Sequence, residues 1–253
     1  MSDATPARPV VRAIGPGDLN EALSKGWSDF RRAPLWGLFF GGFYVVAGLI
    51  MAVVVWLTGQ VYWLAILVFG FPLIGSFAAV GLYEVSHRLS LGQPLDRGIL
   101  SVIWAQKDRQ LPWLCAIIIF IFLFWSFIGH MIFALFLGLT TMVNISTSYE
   151  VFLTTNGLAM LGFGSLVGAA LAGVIFAITV VGLPLLVDRE IDFVTAMLLS
   201  IEAARRSPFT MARWAVTIVI MVMIAMVPAF LGLLVVLPIL GHATWHLYKR
   251  TLQ

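Results

Sequence analysis

The sequence predicts an all-α integral membrane protein with six transmembrane helices, arranged as three hairpins, each led by a cytoplasmic amphipathic helix. Three observations carry that prediction. Hydrophobic residues make up 61% of the 253 and charged residues only 11%, against about 25% charged in a soluble domain. The apolar residues come in runs of about 20, the length needed to cross about 30 Å of hydrocarbon. All fifteen Lys and Arg fall on one side of the spans so drawn.

The elements follow in chain order. Residues 1–17 are polar and rich in Pro and Gly. They lack the apolar core of a signal peptide and read as a disordered cytoplasmic tail. Residues 18–253 form the membrane domain. Its first stretch, "DLNEALSKGWSDFRRAPLW", repeats Leu19, Leu23, Gly26, Trp27 and Phe30 at helical spacing. Asp18 with Glu21 three residues on resembles a capping box. The first span runs roughly Pro34 to Leu57 and the second roughly Tyr62 to His87. The third runs roughly Pro112 to Leu139 and the fourth roughly Leu158 to Val187. The fifth, roughly Phe209 to Met226, and the sixth, roughly Ala229 to Tyr248, are separated by a tight "MVPAF" turn.

Charge sets the orientation. Arg8, Arg12, Lys25, Arg31 and Arg32 precede the first span. Arg88, Arg97, Lys107 and Arg109 lie between the second and third. Arg189, Arg205, Arg206 and Arg213 lie around the start of the fifth, and Lys249 and Arg250 near the end. The opposite side carries only Glu150. The excess of basic residues places both termini in the cytoplasm. The net charge of +3 is no argument for nucleic acid as a partner. The single cysteine, Cys115, excludes an internal disulfide and a Cys-rich metal site.

A repeat underlies the spans. "DFVTAMLLSIEAARRSPFT" before the fifth span matches the first leader, with Ala22 on Ala196, Arg31-Arg32 on Arg205-Arg206 and Pro34 on Pro208. A weaker copy, "LDRGILSVIWAQKDRQLPWL", precedes the third span. Later, "FPLIG" in the second span matches "LPILG" in the sixth, Pro72 on Pro238 and Gly75 on Gly241. Every copy begins on the cytoplasmic side, unlike the inverted repeats of many transporters. Each leader is expected to lie in the interface, apolar face down. Arg31, Arg32, Arg205 and Arg206 then reach lipid phosphates.

Few polar groups lie within the spans. His242 and His246 in "GHATWH" share one helix face. Either His246 joins an interfacial belt with Trp245, Tyr248, Lys249 and Arg250 while His242 bonds a neighbouring helix, or the two are ligands of a metal completed by His87. Two histidines one turn apart cannot take both faces of one haem. His242 is expected to bond a neighbouring helix, His130 to bond across the bundle, and Glu84 to pair with Arg88 at i, i+4. The glycines of "GFGSLVGAALAG" in the fourth span pack against another helix, inside this chain or in a partner. The opposite-side segment "TTMVNISTSYEVFLTTN" is polar, and its Asn144-Ile-Ser matches a glycosylation sequon. No nucleophile constellation, paired acids or phosphate loop is present, and no catalytic residue is assigned.

"WSDFRRAPLWGLFFGGFY", "GLYEVSHRLSLGQPLD" and "LPILGHATWHLYKR" resemble the bacterial integral-membrane family named domain of unknown function 2189. The resemblance runs over nearly the whole chain beyond the tail. It implies a membrane bundle and no assigned activity, although some members carry a label likening them to a cytochrome oxidase subunit. A broader likeness, in the leader helices, is to the membrane domains of glycerophosphodiester phosphodiesterases, without their catalytic barrel. The expected function is a non-catalytic accessory protein that binds, assembles or stabilises a larger membrane complex, a respiratory cytochrome oxidase being the complex that label points to. The alternatives are a carrier or binder of lipid or another hydrophobic small molecule, and a haem- or metal-handling protein using His87, His242 and His246. The expected partners are membrane lipids and a membrane-protein complex, with no resident cofactor required by the first two readings.

Overall fold

The computed structural model describes residues 9–59, 65–138 and 149–252. The described residues form ten α-helices and two short 3-10 turns, with no strand beyond one isolated bridge. They are α1 (Pro16–Arg32), α2 (Pro34–Thr58), α3 (Ala65–Leu91), α4 (Gly98–Ala105), α5 (Leu111–Leu137), α6 (Thr155–Thr179), α7 (Gly182–Asp188), α8 (Phe193–Arg206), α9 (Pro208–Met226) and α10 (Leu233–Thr251). Asn144 and the start of the expected second span, Tyr62, lie outside the described residues.

Four stretches are long and apolar enough to cross a membrane: α2, α5, the α6–α7 pair and α9. The expected fourth span is broken at Val180–Val181. Pro184 sits in the first turn of α7, where its missing N–H leaves no bond unmade. The Val181 N–H freed by the break donates to Ser200 Oγ of α8 at 3.1 Å. Ser200 is fully buried there, so α8 docks into the break. Between α9 and α10 the chain turns through Ala229 and Phe230, both with positive φ (49° and 67°). Backbone of that hand is strained for side-chain-bearing residues and persists only where packing holds it.

α1 turns its apolar face to the protein, whereas α4 leaves Leu100 and Trp104 exposed. α1 buries Leu19, Ala22, Gly26 and Phe30 against the protein, and its main partner is α10. A Cβ on Gly26 would stand 2.6 Å from the Ile239 carbonyl oxygen and 2.8 Å from the Ala243 nitrogen, so the two helices touch backbone to backbone. α8 packs on α6 and α7, and α4 packs on α3. Each of these three helices thus packs on another helix of the chain. For α4 and α8 it is the helix just before in the chain; for α1 it is the last one, α10. The helices α3, α7 and α10 also touch one another, which closes the arrangement into a ring.

The corners of the first and last repeats share a geometry. Ala33, between α1 and α2, has φ −133° and ψ 52°. Ser207, between α8 and α9, has φ −136° and ψ 58°. Each is followed by a proline at the start of the next helix. Ala22 and Ala196 are both fully buried. The third corner differs, passing through a 3-10 turn at Gln106–Asp108.

Residues 9–15, read from sequence as part of a disordered tail, are packed. Val11 pairs with Leu252 in an antiparallel bridge, and the Arg12 N–H donates to the Thr251 carbonyl at 2.8 Å. The Ile14 N–H donates to Ser207 Oγ at 2.9 Å, and Thr210 Oγ1 donates back to the Ile14 carbonyl. Val11 and Ile14 supply the apolar burial that the composition of the tail obscures. The cap of α1 also shifts. Gly15 is the N-cap, and its N–H donates to Asp18, which is therefore the third residue of the helix and not its cap.

A buried polar network as candidate functional site

The side chains that carry chemistry meet where α1 ends, α3 ends and α10 passes between them. Asp29 lies on the face of α1 that meets α10 and is only 5% exposed. His246 Nε2 donates to Asp29 Oδ2 at 2.7 Å. One turn earlier on α10, His242 is fully buried, with its Nδ1 2.8 Å from Ser86 Oγ and 3.1 Å from the Leu82 carbonyl oxygen of α3. A carbonyl only accepts, so Nδ1 carries the proton. Ser86 then accepts from His242, and it lies near enough to Asp29 to help hold that carboxyl down. The result is two links one turn apart on α10: His242 to Ser86 and Leu82 of α3, and His246 to Asp29 of α1.

Burial works against the Asp29 charge, but the hydrogen bond from His246 outweighs it. The carboxyl is held below the usual carboxylate range. A Ser, a His and an Asp meet here without forming a nucleophile. The His242 Nδ1 beside Ser86 carries a proton and cannot serve as its base, and Ser86 has no exposed surface. What the geometry does is lock α1, α3 and α10 in one register, since each member satisfies the next in a low-dielectric setting.

The expected metal ligands divide. His242 is spent on Ser86 and Leu82, and His246 on Asp29. His87 lies against the Trp245 ring at 5.4 Å and 3.8 Å from Glu84. Among the described residues no group of three His, Cys, Asp or Glu side chains is placed to hold a metal. His242 Nε2 is buried without a bonded partner among them. The expected aromatic belt is not at a surface: Trp245 and Tyr248 are each 1% exposed, Trp245 stacks on Tyr83, and the Tyr248 ring lies tilted against Trp245. His130 does not cross the bundle; its Nδ1 donates to the Ser126 carbonyl of its own helix at 2.7 Å.

Ion pairs ring the network at the same end. Glu84 pairs with Arg88 at 2.7 Å, as its spacing predicts, and Arg88 goes on to Asp96 at 2.8 Å. Asp188 takes Lys249 at 2.8 Å and the Tyr248 hydroxyl at 2.6 Å. Arg250 binds Asp18 at 2.7 Å and also Glu21. Of the expected lipid contacts, Arg31 lies over the Trp27 ring and Arg206 pairs with Glu202; both are exposed, as are Arg32 and Arg205. Sequence reasoning missed Asp29, Ser86 and Asp18. The signal for Asp29 was a charge placed among Gly26 and Phe30 on the apolar face of an amphipathic helix.

A bundle of long apolar helices held by buried hydrogen bonds is the build of an integral membrane protein. Residues 64–188 match the family described as predicted integral membrane protein (DUF2189). The match is narrower than the three sequence motifs imply, since of these only "GLYEVSHRLSLGQPLD" falls inside it. No curated protein and no solved structure matches the chain.

Proposed function

We propose that this is a non-catalytic accessory protein of the bacterial inner membrane that binds and stabilises a larger membrane complex, a respiratory oxidase being the complex to look for first. The observation that carries this reading is the bare face of α6. Gly168 is used inside the molecule, where Trp125 of α5 fills the space its Cβ would occupy. Gly162 and Gly173 have nothing within 4 Å of theirs. Together with the exposed Ser165 and Ala169 they leave a smooth strip at small-xxx-small spacing. Beside it α5 and α6 frame an apolar groove of about 280 Å³ lined by Trp125, Ile132, Met160 and Gly164. Strips of this kind let a second helix approach closely in lipid.

The same reading takes α3 and α10 as further spans, giving six with both termini cytoplasmic. α3 has 27 residues, about 40 Å of helix, and runs back beside α2. α10 has 19 residues, ten of them buried, so protein rather than lipid surrounds much of it and its outer surface need not be apolar. The ends of α3, α8 and α10 are linked through His87 on Trp245 and through residues 12–14, which bond Thr251 and Ser207; these ends carry Arg88, Arg205, Arg206, Lys249 and Arg250, which supports one cytoplasmic face.

The test is extraction of the tagged protein from native membranes in a mild detergent, followed by mass spectrometry of what remains bound near stoichiometry. A defined membrane-protein partner, lost when Gly162 and Gly173 are replaced by Leu, is the expected result. A protein that emerges alone overturns the reading. The lipid-binding alternative is favoured by the four exposed corner arginines. A haem- or metal-handling role would first have to release His242 and His246 from Ser86 and Asp29.

A further inference from the structure

A pocket of about 270 Å³ opens between the start of α5 and the loop joining α7 to α8, away from the network of Asp29 and His246. Its polar wall is Arg109, Gln110, Arg189, Glu190 and Asp192, and its apolar wall is Leu186 and Ile191. Two independent observations set its depth. α5 begins at Leu111 and the α6–α7 stretch ends at Asp188, and both are long and apolar enough to cross a membrane. Beside it, Trp113 of α5 is 60% exposed and stacks on Phe193 of α8. Tryptophan at a span terminus marks headgroup level.

The charges are matched but loosely closed. Arg109 reaches Glu190 only at 3.5 Å, and Arg189 reaches Asp188 only at 3.8 Å. Close charge-assisted pairs run nearer 2.8 Å. Each guanidinium keeps donors free for another acceptor, and the two face one cavity. Glu190 is almost fully exposed, and Asp192 spends one oxygen on the Thr195 N–H as the cap of α8. The site thus offers two planar cations and two carboxylates within one headgroup's reach. Below it, Trp113, Phe120, Phe124 and Phe127 form an exposed stripe down α5 where an acyl chain can lie.

We propose that this pocket binds a zwitterionic phospholipid whose headgroup ends in a primary ammonium, of the phosphoethanolamine type. The phosphodiester lies between Arg109 and Arg189, and the ammonium faces Glu190 and Asp192. A purely anionic headgroup meets the same arginines but is repelled by the carboxylates. A quaternary ammonium meets the carboxylates without N–H donors.

The experiment uses the full chain in micelles, with phosphatidylethanolamine, phosphatidylcholine and phosphatidylglycerol added in turn and retained lipid read by native mass spectrometry. The expected result is preferential retention of phosphatidylethanolamine, weakened about tenfold by Arg189→Gln, the loss expected for one charged hydrogen bond. Arg97→Gln, at an exposed arginine outside the pocket, leaves retention unchanged. Glu190→Gln raises phosphatidylglycerol relative to phosphatidylethanolamine. Soluble glycerophosphoethanolamine binds far more weakly than the lipid, because the α5 stripe holds the chains. Equal retention of the three lipids overturns the proposal, as does retention indifferent to Arg189→Gln. Binding of the soluble phosphodiester as tight as the lipid's would make the ligand a free phosphoester and overturn the lipid assignment. Circular dichroism of each variant separates loss of binding from loss of fold.

Discussion

Asp29 and His246 come from opposite ends of the chain and meet with side chains 7% and 15% exposed. Breaking a buried pair by removing one partner leaves an uncompensated charge and costs about 3–5 kcal/mol. Asp29→Ala and His246→Ala are each expected to lower the thermal midpoint in detergent sharply, and the double variant by less than the sum, because the two act on one contact. The pH dependence follows from direction. The Asp29 carboxyl is held down by His246 against its burial, and that of Asp18 by the Gly15 N–H and then Arg250. A depressed folded value means that the stabilisation is complete above the unfolded value of about 3.9 and is lost as pH falls through the folded one. Thermal midpoints measured from pH 6 downward should therefore stay flat to about pH 4 and fall below it. Asp29→Asn should start lower and show a shallower fall. Gly26 is the steric counterpart. Its neighbours are α10 backbone atoms that cannot yield, so Gly26→Ala should destabilise by about 1–3 kcal/mol, read in the same melts.

At the scale of elements, the corner at Ser207 holds the segment before α1. Ser207→Ala leaves the buried Ile14 N–H unbonded, at a cost of about 1–3 kcal/mol, and should expose the Arg12 peptide bond to trypsin in a timed digest that the unaltered protein resists. The helices themselves were legible. Apolar runs, prolines at helix starts and paired arginines locate α2, α5 and α9 to within a residue or two of the structure. The likeness of the Ala33 and Ser207 corners was legible too, because Arg-Arg-x-Pro fixes a short, repeated turn. What α1 packs on was not legible. Its apolar face suits lipid or protein equally, and only Gly26, too small to shield anything from water, hinted at a close neighbour. The buried pair was hidden for the same reason: His246 sits on a helix ending in Trp, Tyr, Lys and Arg, the composition of a membrane border, while its partner lies 217 positions away.

For the whole molecule, the packing of α1 on α10 joins the first and last helices, so the ring depends on a contact between chain ends. The Val11–Leu252 bridge and the Arg12–Thr251 bond extend that closure beyond the helices. Two ends that touch lie on one side of the membrane, which requires an even number of spans. The most direct measurement is a disulfide cross-link. Cys115 is the chain's one cysteine and is buried and free; in a Cys115→Ser background, Val11→Cys and Leu252→Cys are introduced together and oxidised in intact membranes. Bridge-paired residues stand within disulfide reach. A rapid cross-link within one chain, absent in either single variant and slowed by Asp29→Ala, is the result this account predicts. Failure to cross-link, or cross-links only between chains, would contradict it.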